Sequence, residues 1–155
     1  MMEEMVRVRG LGGEKMGKSD AQNAIGIDWS EDMIFRAYRE RGITDPQKVR
    51  KNDAGDPYNR CLSVYPMHEI VTDGEKETRI IAGECMRGER GCIDCKRQLA
   101  HNIAKVLTPF QERQAALATK DEHIREVLHE GGKRAREIIQ PTVEKVRDKM
   151  GVVMY

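Results

Sequence analysis

Cys92–Ala118, CIDCKRQLAHNIAKVLTPFQERQAALA, runs directly into Thr119–Met150, TKDEHIREVLHEGGKRAREIIQPTVEKVRDKM, and these two stretches decide the fold. In the first, Ile93, Leu99, Ile103, Val106 and Leu107 recur at helical period, and Thr108-Pro109 predicts a restart because Pro suits a first helical turn. In the second, Thr119-Lys120-Asp121-Glu122 has the capping-box pattern. It launches a long stripe of Ile124, Leu128, Gly131, Ala135, Ile138, Ile139, Val143, Val146 and Met150. Pro141 predicts a kink, and Gly131-Gly132 predicts a close backbone approach.

Toward the N-terminus, the glycine-punctuated basic loop MRGERG at 86–91 follows a short helix predicted over 75–84, which itself follows a turn at Thr72-Asp73-Gly74. Another helical stretch is predicted from near Pro57, interrupted at Pro66. Residues 44–60 carry two Asp-Pro pairs and predict turns. Before them, Met33, Ile34, Ala37 and Tyr38 fall at helical spacing behind an N-cap at Asp28 or Ser30, with Gly42 as the stop. Residues 1–28 read as loop with extended pieces: a strand-like alternation over Met5–Arg9, a Gly/Lys-rich run, and the short apolar piece Ala24–Ile27. No βαβ series is present to build a parallel sheet. The fold class is therefore mainly α, a helical bundle with a short loop or extended N-terminal segment. Residues 1–28 form a leading part and 29–155 the helical domain.

Composition agrees. Charged residues make up 34% of the 155, apolar residues 39% and aromatics 5%, which describes a thin core and argues against a β-sandwich. Twenty-seven Lys and Arg against 26 Asp and Glu leave a net charge of +1, so any basic surface for nucleic acid has to be local. No apolar run approaches a membrane span, and MMEEMVRVRG has no signal-peptide core, so the chain reads as cytoplasmic with no membrane partner.

Gly12–Ser19, GGEKMGKS, matches the phosphate-cradling pattern G-x-x-x-x-G-K-S. A P-loop needs a helix opening at its Lys-Ser and a parallel sheet behind it, and SDAQNAIGID is a poor helix, so nucleotide hydrolysis is the lesser reading. Taken as the unit, Lys15-Met16-Gly17-Lys18-Ser19 resembles the KMSKS signature of class I aminoacyl-tRNA synthetases, with Gly17 in place of the usual Ser. The resemblance implies that these five residues bind ATP with Mg when assembled with a catalytic half. It also implies that Lys15 and Lys18 are catalytic, neutralising charge on the departing pyrophosphate. A solvated Lys/Gly surface loop is the plain alternative.

RGLGGEKMGKSD, AIGIDWSEDMIFRAY, GITDPQKVRKNDAGDP, the cysteine segment and AREIIQPTVEKVRDKMG together resemble, in order, the carboxy-terminal part of bacterial-type tryptophan-tRNA ligases, over about Arg9 to Gly151. This implies a helical domain that recognises the anticodon of tRNA(Trp). No H-x-G-H string occurs, so the family's other ATP signature and its tryptophan pocket have no positions here. The expectation is a ligase portion inactive by itself, partnered by a chain carrying the Rossmann half or by a second copy. The alternative is a freestanding, metal-stabilised RNA-binding paralogue.

The four cysteines, Cys61, Cys85, Cys92 and Cys95, form C-x23-C-x6-C-x2-C. In a chain without a signal peptide this spacing favours metal over disulfides, with Cys92 and Cys95 on one helical turn, Cys85 folded back by the MRGERG loop, and Cys61 arriving from a separate helix. Four thiolates suit zinc or a 4Fe-4S cluster equally, and four buried core cysteines are the alternative to both. The resemblance implies 4Fe-4S, because a subset of tryptophan-tRNA ligases binds a cluster through nearly this arrangement, with a first gap one residue shorter. Arg60, Arg87, Arg90, Lys96 and Arg97 surround the ligands and are the RNA-binding candidates, or else compensate thiolate charge. Lys133, Arg134 and Arg136 extend the basic patch or are ordinary helix surface. His68 and His101 read as plain core or surface histidines more readily than as supports for the ligands, and Trp29 as packing at the first helix N-terminus.

Overall fold

The structure, a computed structural model, describes residues 8–152. Among them are five helices and no strand: α1 (Glu31–Arg41), α2 (Val64–Val71), α3 (Glu75–Met86), α4 (Cys92–Leu117) and α5 (Asp121–Met150). The mainly helical class read from the sequence is the observed one. Most of the strand-like alternation at Met5–Arg9 lies outside the described residues, and its last residue makes an isolated antiparallel bridge to Lys15.

α1 starts where Ser30 Oγ accepts the Met33 amide at 3.3 Å, with Glu31 and Asp32 in the first turn and Arg39 and Arg41 in the last, a charge order that suits the helix dipole. Ile34, Ala37 and Tyr38 form its buried face. α2 departs from expectation: it begins only at Val64, and Pro66 falls within its first turn, where no intrahelical N–H is required, so the proline does not interrupt it. α4 likewise runs through Pro109 without a restart, and Thr108 Oγ1 donates to the Ala104 carbonyl at 2.8 Å one residue before it. The capping box before α5 is not formed, since Lys120 takes the cap position and no side chain caps the helix. The helix continues past Pro141. Nothing lies within 4 Å of a Cβ built on Gly131 or Gly132, so the glycine pair serves no close approach among the described residues.

Two compact units divide the chain, one ending at Gln111 and the other starting at Glu112. The core lies in the first. Leu11, Ile34, Ala37, Tyr38, Val64, Tyr65, Met67, Ile81, Ala82, Leu99, Ala100 and Ile103 form one buried cluster with Cys61 at its edge, and Trp29 and Phe35 pack against it. Each large apolar side chain in such a cluster contributes about 1.5–3 kcal/mol through burial. The second unit holds the end of α4 and all of α5. No residue of α5 is buried, and Leu128, Ile138, Ile139, Val146 and Met150 of its apolar stripe are exposed. No described helix is long and apolar enough to cross a membrane.

The turn between α3 and α4 depends on Gly88. Its φ is +72°, and a Cβ there would sit 2.2 Å from the Asn52 carbonyl oxygen, a backbone atom that has no rotamer with which to yield. Gly88→Ala is expected to destabilise the first unit by about 2–3 kcal/mol in urea unfolding. Gly131→Ala, in open space on α5, is expected to stabilise its helix by about 0.5–1 kcal/mol, read as increased helicity.

Candidate functional site

The four cysteines reach one place from three elements, two helices and a turn. Cys92 and Cys95 lie on the first turn of α4 and Cys85 near the end of α3, as the spacing predicts. Cys61 does not come from a helix. It stands in the turns just before α2, where its amide donates to Asp56 O at 3.2 Å, because the Asp-Pro turns of 44–60 persist to that point. All four line one small cavity of about 20 Å³, together with Thr44, Asp45, Lys48, Val64, Arg90 and Gly91. All four thiols are free. Among the described residues no three His, Cys, Asp or Glu side chains converge as ligands of a single metal ion.

The cavity exists because the non-helical segment is held against α3. Gly55 N donates to Cys85 O at 3.0 Å, and a Cβ at Gly55 would meet Cys85 Sγ at 2.7 Å, so only glycine permits this approach. Asp45, which composition does not single out, organises the loop: its carboxylate accepts from Gln47 N at 2.9 Å, Asp56 N at 2.8 Å and Arg60 Nε at 3.0 Å. Burial works against its charge, and these hydrogen bonds overcome burial, so its carboxyl titrates below the usual range. His68 is fully buried, with Nδ1 3.0 Å from Thr72 Oγ1 and Nε2 3.2 Å from Cys95 O and 3.4 Å from Cys95 Sγ. Burial pushes its pKa down to about 4, which keeps it neutral. His101 is exposed and pairs with Glu31 at 3.1 Å.

Burial also pushes the Cys61 thiol up to about 11 and the Cys95 thiol up to about 12, and raises Cys85, so at neutral pH these sulfurs hold protons that a metal would displace. Cations stand close by. Arg90 pairs with Glu84 at 2.6 Å and donates to Gln98 at 2.7 Å, and Lys96 is buried with its ammonium on Gly42 O at 2.9 Å. Burial lowers the Lys96 pKa, while neighbouring thiolates favour its charged form. The other sequence candidates also have partners: Arg60 on Asp45 and Gln47, Arg87 on exposed Glu89 at 2.7 Å, and Arg97 over the Phe35 ring at 5.0 Å.

The lysine loop is irregular but tied at its base. Met16 N donates to Val8 O at 2.9 Å and Gly10 N to Glu14 O at 2.8 Å, and the Met16 side chain packs on the core. Buried Asn23, a residue no motif signals, accepts Gly12 N on Oδ1 at 2.7 Å and donates from Nδ2 to the Glu14 and Lys15 carbonyls at 3.3 and 3.2 Å. Lys15, Lys18 and Ser19 are left exposed. Gly17 has space for the usual Ser, its nearest neighbour being Ser19 Oγ at 3.9 Å. No helix opens at Lys18-Ser19, where turns follow instead, and no strand precedes it among the described residues, so the setting a P-loop needs is not there. Asn23→Ala leaves the Gly12 amide and the Lys15 carbonyl unpaired, the Glu14 carbonyl keeping Gly10 N, and is expected to cost about 2–3 kcal/mol. It is also expected to speed tryptic cleavage after Lys15 and Lys18 at least severalfold, measured by mass spectrometry on the native protein.

Residues 1–108 match the family model described as tRNA synthetases class I (W and Y). The chain is 34% identical over 98% of its length to a tryptophan–tRNA ligase of Aquifex aeolicus and 35% identical over 96% to one of Deinococcus radiodurans, spanning 38% and 44% of those proteins. The crystal structure of tryptophanyl-tRNA synthetase from Campylobacter jejuni complexed with ADP and tryptophan superposes with a TM-score of 0.79 at 27% identity, over 97% of this chain and 45% of that one. The chain thus spans less than half the length of these relatives. With the lysine loop and the turn-and-helix frame behind it lying inside the matched residues, the chain belongs to the class I tRNA synthetase family of the tryptophan and tyrosine type.

Proposed function

We propose that this chain acts as the carboxy-terminal portion of a tryptophan–tRNA ligase. It binds the anticodon region of tRNA(Trp) through its helical domain and contributes Lys15–Ser19 to ATP-dependent activation of tryptophan. The observation that carries the proposal is the convergence of Cys61, Cys85, Cys92 and Cys95 on one cavity, in a fold matching tryptophanyl-tRNA synthetase. The relatives' names supply the substrate class. The exposed lysines on a tethered loop have the chemistry to neutralise a departing pyrophosphate. Activation of tryptophan would use the part of the relatives' length that this chain does not span.

The donor set fits a 4Fe-4S cluster held by one cysteine per iron. Four thiolates would also hold a single zinc about 2.3 Å from each sulfur, and the cluster is preferred because the cysteine spacing resembles that of cluster-bearing tryptophan-tRNA ligases. Such a group would supply structural cross-linking. It would tie the turn bearing Cys61 to the end of α3 and the start of α4. Arg90, Lys96 and Lys48, all near the thiols, would compensate the charge that develops when protons leave sulfur. Arg87 and Arg97 are exposed, which supports their being the members of the set that would contact RNA.

Protein prepared without oxygen is expected to contain about four irons per chain with broad absorption at the blue end of the visible range. Cys61→Ser, Cys85→Ser, Cys92→Ser or Cys95→Ser should each reduce iron content and lower the thermal midpoint. One zinc per chain and no iron would refute the cluster. Supplied with a catalytic portion, Lys18→Ala is expected to reduce tryptophan-dependent pyrophosphate exchange by roughly 10²–10³-fold, and undiminished exchange would refute the role of the loop.

A further inference from the structure

The buried His68 ring links α2 to the cysteine-bearing turn of α4. Three contacts fix it: Nδ1 lies 3.0 Å from Thr72 Oγ1, and Nε2 lies 3.2 Å from Cys95 O and 3.4 Å from Cys95 Sγ. Thr72 is buried as well, and its Oγ1 accepts the Asn102 side-chain amide at 3.1 Å. The two ends of this chain set the direction of every hydrogen bond in it. The Cys95 carbonyl can only accept, so Nε2 carries a proton in either charge state of the ring. With no carboxylate among its partners the buried ring is neutral, which leaves Nδ1 as the acceptor of the Thr72 hydroxyl. Asn102, whose amide nitrogen can only donate, completes the sequence from α4.

The Nε2 proton thus has two acceptors on one residue, and they are unequal. Cys95 O lies inside α4, where helical geometry already supplies it with the Leu99 amide. Cys95 Sγ has no other hydrogen-bond donor among the described residues. A thiolate sulfur carries charge, which makes it the stronger acceptor once its proton has left. The other three sulfurs are placed differently. Cys61 Sγ has the backbone amides of Val64 and Tyr65 beside it and the Ile43 carbonyl at 3.9 Å. No side-chain N–H reaches the sulfur of Cys61, Cys85 or Cys92 among the described residues.

We infer that His68 is a positioning residue for the metal group of the four-cysteine site, donating Nε2–H to Cys95 Sγ so that Cys95 is the one ligand with a side-chain hydrogen bond. The inference rests on the proposed metal-binding role of the cysteines and extends it to a residue that sets the affinity and electronic character of the site. Thr72 and Asn102 act through the ring, holding it in the tautomer and rotation that serve the sulfur. A histidine that only filled the core would be replaceable by an apolar ring without effect on the sulfur.

Cobalt(II) titration of the reduced full chain tests this, followed by sulfur-to-cobalt charge-transfer absorption. His68→Phe keeps a ring in the core and removes the donor. It is expected to weaken cobalt binding by about 10–100-fold and to move the charge-transfer bands to longer wavelength, since sulfur without the hydrogen bond releases electron density more readily. His68→Gln, with an N–H on a side chain of similar reach, is expected to bring affinity back to within about threefold of wild type and to restore the band positions. Nitrogen-15 spectra of the zinc-loaded wild type need no variant and are expected to show His68 as the Nε2–H tautomer. Unchanged affinity and bands in His68→Phe, or weakened binding with unmoved bands, would overturn this inference and leave the metal site standing. The Nδ1–H tautomer in the zinc-loaded chain would do the same. A wild-type chain without thiolate-to-cobalt absorption would overturn the metal-binding role and this inference with it.

Discussion

Between α1 and α2 the backbone runs from Gly42 to Cys61 without a helix, and its polar groups have no regular ladder in which to pair. Side chains and neighbouring backbone do that work. Asp45 gathers two amides and a guanidinium, Lys48 and Asp53 close the next turn, Asp56 receives Asn59, and Gly55 docks on the Cys85 carbonyl. The cysteine site depends on this segment, because it carries Cys61 and forms the wall against which Cys85 rests. A carboxylate lost from the middle of such a loop exposes several unpaired groups at once, and the effect reaches the thiols through rigid short-range contacts.

The same segment separates two electrostatic tasks. On its inner side Lys48, with Arg90 and Lys96, lies beside apolar, proton-bearing thiols whose conversion to thiolates would otherwise be costly. On its outer side Val49, Arg50 and Lys51 face solvent. A chain with a net charge of only +1 can still present a local positive surface this way, because carboxylates elsewhere are matched by their own cations: Glu75 by Arg79, Glu89 by Arg87, Asp73 by Lys105.

The lysine loop follows a similar plan at smaller scale. Asn23 and the Val8–Met16 pairing hold the base of the loop, while Lys15, Lys18 and Ser19 extend beyond it. A firm base with an exposed tip lets a loop move over a ligand without disturbing the core beneath, which here begins with fully buried Leu11.

Local pattern alone was enough to identify α1 with Ser30 as one of two candidate caps, the helical character of 75–84 and of 92–118, the pairing of Cys92 and Cys95 on one turn, and the KMSKS-like string, since each depends on spacing within a few residues. Prolines misled where the criterion was residue type rather than position: Pro66 sits harmlessly in a first turn, and Pro109 is carried within a helix that the core supports through Leu99, Ala100 and Ile103. The role of Asn23, the hub at Asp45, the placement of Cys61 on a turn, the proximity of His68 to Cys95 and the commitment of Arg60, Arg90, Lys96 and Arg97 to internal partners were decided only by the tertiary structure. All of these are contacts between residues brought together by chain folding. Helical period is a property of neighbouring residues, whereas the partner of a buried polar group is set by whichever distant atom packing delivers.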